Sequence, residues 1–312
     1  KKYIMFVPSS KPLEHCGSHY ANIENFDGNV KLDVKCVDVN ENQTLCYIHN
    51  INETFYFATS HNAPNGKIIS ININDLIGST WLYHYTDIID ETTDILLNGY
   101  NSNSKWLILK YSHHVSVKLK LYAFSNGSII DIPIPNFGNV SIGTNTDDDN
   151  VFIHYRSFLD PCTIYKYNCA DNSTIIHFKP VCDKFNPDDF TIEQVFYKSD
   201  STTVPMYIVG HKTLQKDGNT PMYLTGYGGF NISLFPNFFH QHIVLMKNLR
   251  IRFAVANIRG GNEYGSKWYN DGKCFNKQNS FMDFENAAKY LIKNKYTCSS
   301  KLIISGSSNG GL

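Results

Sequence analysis

The chain has 312 residues, 42% of them hydrophobic, and its 28 basic and 28 acidic residues give a formal net charge of +0. This length is typical of two domains, and the charge balance gives no reason to expect a nucleic acid or an anionic membrane as a partner. No apolar run approaches the roughly 20 residues that a membrane-spanning helix needs, so we expect a globular protein.

The first part of the chain, residues 1–184, consists of short runs rich in β-branched and aromatic residues. Several runs alternate apolar and polar side chains, which is the period of a half-buried strand. The clearest are 54–58, 67–73, 106–111, 117–122, 151–155 and 163–167. Asn65-Gly66 and Asn126-Gly127 are hairpin signals beside these runs. Many short strands predict a sandwich, a barrel or a propeller, and their spacing alone does not distinguish these folds.

From residue 185 onward, strand patterns alternate with helical ones, so we place a domain boundary between residues 184 and 185. The predicted strands are 204–209, 221–224, 251–257 and 301–305. A helical spacing of Phe238, His242, Leu245 and Leu249 puts His240 and His242 on a helix. This order predicts an α/β sheet, with ligands at the carboxyl ends of its strands.

The clearest helix of the chain is predicted around residues 280–291. Ser280-x-x-Asp283 has the form of a capping box at its start. Its apolar face is marked by Phe281, Phe284, Ala288 and Leu291.

The last predicted strand runs directly into Gly306-Ser307-Ser308-Asn309-Gly310, which has the Gly-x-Ser-x-Gly form of a nucleophile elbow. Such a turn holds a serine hydroxyl above the end of a sheet, and a Cβ at Gly306 or Gly310 should collide with neighbouring backbone. Only Ser308 has glycine two residues before it and two after it. We therefore predict that Ser308, rather than Ser307, is a nucleophile; the alternative is a plain glycine-rich turn.

An acyl-transfer serine needs hydrogen-bond donors directed at the oxyanion that forms. The elbow supplies the backbone N–H of Asn309, the residue after the nucleophile. The candidate for a second donor lies in residues 225–230, a glycine-rich segment after a strand that can bring backbone or a phenol close. The alternative is a structural turn with packed aromatic side chains.

Four motifs of the second part occur together. They are Gly226-Tyr227-Gly228-Gly229-Phe230-Asn231-Ile232-Ser233, Ala256-Asn257-Ile258-Arg259-Gly260-Gly261-Asn262-Glu263-Tyr264-Gly265, Asn276-Lys277-Gln278-Asn279 and Ser308-Asn309-Gly310-Gly311. Their order and spacing resemble the prolyl oligopeptidases (prolyl endopeptidases), serine peptidases with a seven-bladed β-propeller and an α/β-hydrolase domain. The resemblance is close over residues 185–312 and looser upstream, through segments such as residues 156–161. It implies that residues 1–184 form later blades of a β-propeller and that residues 185–312 form the first part of an α/β-hydrolase domain.

The resemblance also implies roles for individual residues. Ser308 matches the nucleophile, and the Tyr227 hydroxyl and the Asn309 backbone N–H match the oxyanion hole. Phe230 matches an aromatic residue of the pocket for the substrate proline, and the Asn309 side chain also matches a substrate contact. One departure is visible, because Ser307 stands where the family usually has glycine. No metal or other cofactor is implied.

The implied reaction is cleavage of short peptides on the carboxyl side of proline, through an acyl-enzyme intermediate. Triads of this fold follow the order Ser, acid, His along the chain. We therefore expect the acid and the histidine beyond Leu312, which argues against His240 and His242 as the base and predicts that this chain is inactive by itself. Arg259 and Glu263 are expected to form a structural ion pair, with a substrate clamp as the alternative.

We expect short proline-containing peptides as partners, no nucleic acid, no membrane and a monomer. Eight cysteines without a Cys-x-x-Cys pair predict reduced thiols and a cytoplasmic location. Two alternatives stay open. One is a related peptidase of other specificity (basic-residue oligopeptidase, dipeptidyl peptidase or acylaminoacyl peptidase). The other is a non-catalytic propeller scaffold with a degenerate hydrolase domain.

Overall fold

The computed structural model describes residues 3–6, 19–24, 33–36, 45–76, 84–144 and 148–312. Within these residues the chain forms twenty strands in five sheets, and three α-helices. It divides into two compact units. The first comprises Lys1–Tyr111, Lys120–Asp131 and Thr144–Asp149, and the second comprises Ser112–Leu119, Ile132–Gly143 and Asn150–Leu312.

Four antiparallel sheets precede residue 180. The first has three strands, β1 (Tyr3–Phe6), β2 (His19–Asn22) and β3 (Lys35–Cys36). The next is β4 (Leu45–Ile51), β5 (Thr54–Thr59), β6 (Lys67–Asn72) and β7 (Tyr85–Ile89). The third is β8 (Ile95–Asn103), β9 (Trp106–His113), β10 (Ser116–Ala123) and β11 (Ile129–Ile132). The fourth is β12 (Gly138–Thr144), β13 (Asn150–Ser157), β14 (Thr163–Asn168) and β15 (Thr174–Phe178).

In each four-stranded sheet, strands that follow one another in sequence are also neighbours in space. All six strands predicted for this part are confirmed. Strand β5 shows why the pattern was readable, since Phe55 and Phe57 are fully buried while Tyr56 between them is not. Gly66, in the connection before β6, has φ +88°, as the predicted Asn-Gly turn requires. Such four-stranded meanders are the unit from which propeller blades are built.

The fifth sheet lies entirely in the second unit. Its strands are β16 (Phe190–Ser199), β17 (Thr202–His211), β18 (Met222–Gly226), β19 (Arg252–Ala256) and β20 (Leu302–Ser305), in the spatial order β16-β17-β19-β18-β20. Strands β18, β19 and β20 run parallel to one another, and β16 and β17 are antiparallel to their neighbours. The helices are α1 (His240–Asn248), α2 (Gly265–Asn270) and α3 (Lys277–Lys293). The predicted α/β layout, with His240 and His242 on a helix, is therefore confirmed.

Both faces of the fifth sheet are covered, which follows from the alternation of side chains along a strand. One buried cluster joins the sheet to α3 and includes Met206, Ile208, Leu224, Ala254, Ala287 and Leu291. The other joins the opposite face to α1 and includes Tyr207, Val209, Phe253, Val255, Ile243 and Met246. Because β17 and β19 are central and covered on both faces, they are almost continuously apolar.

The predicted capping box at Ser280 is wrong. Helix α3 begins at Lys277, and the Ser280 hydroxyl is buried inside it, 2.6 Å from the Arg259 carbonyl oxygen. The apolar face is only partly as predicted. Leu291 is buried, whereas Phe281 is 38% exposed. A capping motif and a polar contact to a distant loop look the same in sequence, because both place serine and aspartate three residues apart.

Candidate active site

The turn after β20 has the geometry of a nucleophile elbow. Ser308 has φ +54°, a conformation that residues with a side chain rarely adopt, and it opens a single 3₁₀ turn, Ser308–Gly311. A Cβ on Gly306 would lie 1.6 Å from the carbonyl oxygen of Gly310, and a Cβ on Gly310 would lie 2.6 Å from that of Gly226. The predicted collisions are therefore confirmed, and they explain the glycines on either side of Ser308.

The departure at Ser307 does not disturb this turn. Ser307 has φ −134° and ψ 149°, an extended conformation open to any residue. Its carbonyl oxygen accepts a hydrogen bond from the Gly310 N–H at 2.9 Å. A serine side chain is therefore compatible with the elbow at this position.

Tyr227 lies beside the elbow because their strands are paired. Strands β18 and β20 are adjacent and parallel, with Thr225 opposite Ser305, so both chains leave the sheet at the same edge. The side-chain amide of Asn309 donates to the carbonyl oxygen of Tyr227 at 2.5 Å. Tyr227 and Ser308 both line a cavity of about 510 Å³. The structure thus brings together Ser308, Asn309 and Tyr227.

Phe230 does not line that cavity. It belongs to the segment that follows β18, residues 227–235, which we call the Tyr227 loop. Phe230 and Asn231 both have positive φ, +53° and +58°, and the Phe230 side chain is 69% exposed. Its contact with a substrate stays a prediction.

Helix α3 also holds the Tyr227 loop. The ammonium group of Lys277 donates to the carbonyl oxygen of Gly228 at 2.5 Å, and burial lowers the pKa of this lysine. Lys277 lies in one of the four sequence motifs, but sequence reasoning assigned it no role. Spacing gave no signal, since its partner lies 49 positions earlier in the chain.

A buried ion pair supports the segment after β19, residues 257–264, which we call the Arg259 loop. The guanidinium of Arg259 binds the Asp283 carboxylate through two atoms, at 2.9 and 2.7 Å, and the Arg259 backbone N–H donates to the same carboxylate at 2.9 Å. The two side chains are 6% and 0% exposed. Arg259 therefore forms a structural ion pair, as expected, but its partner is Asp283, and the expected pairing with Glu263 is wrong.

Glu263 has a different role in the structure. Its side chain is 2% exposed, and Oε1 accepts a hydrogen bond from the Leu234 N–H at 3.0 Å. Burial raises the pKa of Glu263 to about 7, against the lowering effect of hydrogen bonds such as that from Leu234. Sequence alone did not separate this residue from an ordinary surface glutamate.

His242 is the helical histidine that lines the same cavity as Ser308. Its ring stacks on Phe253 with the centroids 3.9 Å apart, and burial lowers its pKa. Flat packing against an aromatic ring is the environment of a core histidine. The expectation that the catalytic base is another residue stays a prediction.

Comparison with known proteins identifies the family. Residues 1–179 match the family described as "Prolyl oligopeptidase, N-terminal beta-propeller domain", and residues 236–312 match the "Prolyl oligopeptidase family". The chain is 35% identical over 282 residues to the prolyl endopeptidase of Dictyostelium discoideum, covering 87% of this chain and 37% of that protein. It is 38% identical over 262 residues to the prolyl endopeptidase of Elizabethkingia meningoseptica, covering 83% of this chain and 36% of that protein.

Solved structures agree with the sequence comparison. The chain superposes on prolyl oligopeptidase B from Galerina marginata, bound to a 35mer hydrolysis and macrocyclization substrate, with a TM-score of 0.91 and 28% identity. That match covers 99% of this chain and 43% of the other. The four-stranded meanders are therefore propeller blades, and the fifth sheet is part of an α/β-hydrolase domain. The chain spans 36–37% of the length of the two curated relatives, and it belongs to the prolyl oligopeptidase family.

Proposed function

We propose that the protein is a serine peptidase that cleaves short peptides on the carboxyl side of proline. The observation that carries this proposal is the elbow, where Ser308 has φ +54° and the next residue, Asn309, is hydrogen-bonded to Tyr227. The names of the relatives, prolyl endopeptidase and prolyl oligopeptidase, support the specificity.

In the proposed reaction, Ser308 Oγ attacks the carbonyl carbon of the proline residue and forms a tetrahedral oxyanion. The Asn309 N–H and the Tyr227 hydroxyl donate hydrogen bonds to that oxyanion. Phe230 and the Asn309 side chain contact the substrate. A general base must take the Oγ proton and return it to the leaving amine. The intermediate then collapses to an acyl-enzyme, which water hydrolyses.

The test is peptide cleavage by the full-length protein and its Ser308→Ala and Ser307→Ala variants. We expect cleavage after proline by the wild type, a loss of at least about 10⁴-fold in Ser308→Ala, and little loss in Ser307→Ala. Cleavage confined to basic, dipeptidyl or acylaminoacyl substrates would replace the proposed specificity. Peptide binding without any cleavage would mean that the protein is a non-catalytic scaffold and not an enzyme.

We also propose that the propeller part ends near residue 184, and that the protein is a cytoplasmic monomer. The last blade strand ends at Phe178 and β16 begins at Phe190, which supports the boundary. Six cysteines of the described ranges are free thiols, which supports a reducing compartment. In the part of the chain that the structure describes, no helix is long and apolar enough to cross a membrane. Limited proteolysis, light scattering and cell fractionation test these three points.

A further inference from the structure

The end of the Tyr227 loop is held by two side chains of the Arg259 loop. Both polar groups of the Leu234 backbone are engaged: its N–H donates to Glu263 Oε1 at 3.0 Å, and its carbonyl oxygen accepts from Asn257 Nδ2 at 2.9 Å. Glu263 and Asn257 are both buried. Leu234 is thus fixed as a residue in a β-ladder would be, with side chains in place of a neighbouring strand.

The second carboxyl oxygen of Glu263 has an unusual environment. Oε2 is buried and, among the groups that the structure describes, accepts no hydrogen bond. A Cβ built on Gly261 would lie 2.1 Å from Oε2 and 2.7 Å from the carbonyl oxygen of Ile232. Both oxygens therefore border the small space that glycine leaves open. A buried carboxyl oxygen without a hydrogen-bond partner is costly, and a proton on Oε2 would turn it into a donor to an acceptor on the other side of this space.

None of the described groups that act on the pKa of this carboxyl is a cation. The two bases four residues away in sequence pair with other carboxylates, Arg259 with Asp283 and Lys267 with Asp271. The groups that favour ionisation of Glu263 are the backbone at Leu234 and Glu263 and the side chains of Asn257 and Trp268, and all of them are neutral. Burial outweighs them and raises the pKa of Glu263 to about 7. Tyr264, the other titratable group coupled to this site, has its pKa raised to about 12 by burial and by Glu263, so it stays neutral.

We propose that Glu263 is a positioning residue for the Tyr227 loop and acts as a neutral carboxylic acid. Its Oε1 accepts from the Leu234 N–H, and its Oε2–H donates toward the Ile232 carbonyl oxygen. The acid thereby fixes two consecutive links of the loop that carries Tyr227 and Phe230. The effect on catalysis rests on the proposed function of those residues. The protonation state of Glu263 and its anchoring of the Tyr227 loop do not rest on that proposed function.

Two variants of the full-length protein distinguish a neutral carboxylic acid at Glu263 from an ionised carboxylate. In Glu263→Gln, the amide oxygen can accept from Leu234 and the NH₂ can donate to Ile232, as a neutral acid does. Glu263→Leu keeps the side chain buried but removes both hydrogen bonds. The matched controls are Glu285→Gln and Glu285→Leu, because Glu285 is an exposed residue of α3 that pairs only with Lys289 among the described ion pairs.

The first measurement is hydrogen exchange of the backbone amides of residues 229–235. We expect Glu263→Leu to exchange at least about tenfold faster than the wild type, and Glu263→Gln to remain close to it. With a proline substrate, Glu263→Leu should lose about tenfold to a hundredfold in kcat, because a displaced Tyr227 no longer donates well to the oxyanion of the transition state. Glu263→Gln should recover most of that loss. If Gln is as damaging as Leu, Glu263 acts as a carboxylate and the proposal is wrong.

The second measurement does not depend on a folded Leu variant or on peptidase activity. An infrared difference spectrum between the wild type and Glu263→Gln at pH 6 should show the C=O stretch of one protonated carboxyl group in the wild type. A carboxylate band in its place overturns the proposal, whatever the substrate proves to be. If the protein cleaves no proline peptide but shows the protonated band and the slow exchange, the proposed function fails and this inference stands.

Discussion

Tyr227 is the residue whose chemistry is most directly testable. Replacing it by Phe removes one hydroxyl and leaves the ring that packs beside the elbow. If that hydroxyl donates to the oxyanion, kcat for a proline peptide should fall about 10²- to 10³-fold. KM should change little, because the hydrogen bond forms mainly in the transition state.

Tyr290→Phe is the matched control for that measurement. Tyr290 lies on α3, and its ring packs against Tyr197 and Tyr296. It should leave kcat within about threefold of the wild type, as a substitution away from the reacting atoms does. Equal losses in the two variants would mean that Tyr227 contributes by packing alone.

The active-site residues differ in how far sequence could assign them. The elbow turn at Ser308 was predictable because the glycines that define it are neighbours in the chain, and local backbone geometry is set locally; the role of Ser308 as nucleophile stays a prediction. Glu263 and Lys277 were not predictable, because their partners, Leu234 and Gly228, lie on another loop. For the same reason the expected Arg259–Glu263 pair was wrong. A spacing of four residues indicates a pair only on a helix, and this segment is a loop.

At the scale of elements, the elbow turn depends on the absence of a side chain at Gly306. In Gly306→Ala the new Cβ would overlap the Gly310 carbonyl oxygen, and backbone cannot move aside as a flexible side chain can. We expect a loss of about 3 kcal/mol in the free energy of unfolding, and at least a hundredfold loss of kcat. Urea denaturation and peptide cleavage measure the two effects.

Gly127→Ala is the control for that substitution. Gly127 has positive φ, +69°, and a Cβ there would meet nothing within 4 Å. Its cost should therefore be the backbone strain alone, about 1 kcal/mol, without any effect on kcat. Similar losses at both glycines would show that overlap at Gly306 is relieved by movement of the turn.

The ion pair between Arg259 and Asp283 joins the Arg259 loop to α3. Asp283→Ala leaves a buried guanidinium without its partner, which typically costs about 3–5 kcal/mol. Glu285→Ala, two residues further along α3, removes an exposed carboxylate that pairs with Lys289, and should cost no more than about 0.5 kcal/mol. Urea denaturation of both variants tests the contrast. Equal and small effects would mean that water reaches Arg259 in solution.

Element prediction succeeded where the pattern is local and failed where it is not. Strand β5 was predictable because alternation of Phe55, Tyr56 and Phe57 matches the two faces of a strand. The start of α3 was placed three residues too late because Ser280 and Asp283 are bound by the Arg259 loop, and nothing nearby in sequence indicates that contact. The choice of a propeller over a sandwich came from the resemblance and not from the strand spacing.

At the scale of the whole molecule, the chain combines propeller blades with the part of a hydrolase sheet that carries the proposed nucleophile, Ser308. Its strand order, β16-β17-β19-β18-β20, places the elbow strand β20 at one edge. Ile303 and Ile304 of that strand are 47% and 64% exposed.

Glu263 should make the free energy of unfolding of the full-length protein depend on pH. Its pKa is about 7 in the folded chain and near 4.5 when exposed, so the folded state holds a proton that the unfolded state releases. The contribution is fully present below pH 4.5 and is lost as the pH rises to about 7. The loss should be about 3 kcal/mol. Because Glu263→Gln cannot ionise, the wild type should become less stable relative to this variant between those pH values. Chemical denaturation at pH 5, 6, 7 and 8 measures the difference, and a difference that does not change with pH would show that Glu263 has an ordinary pKa in the folded protein.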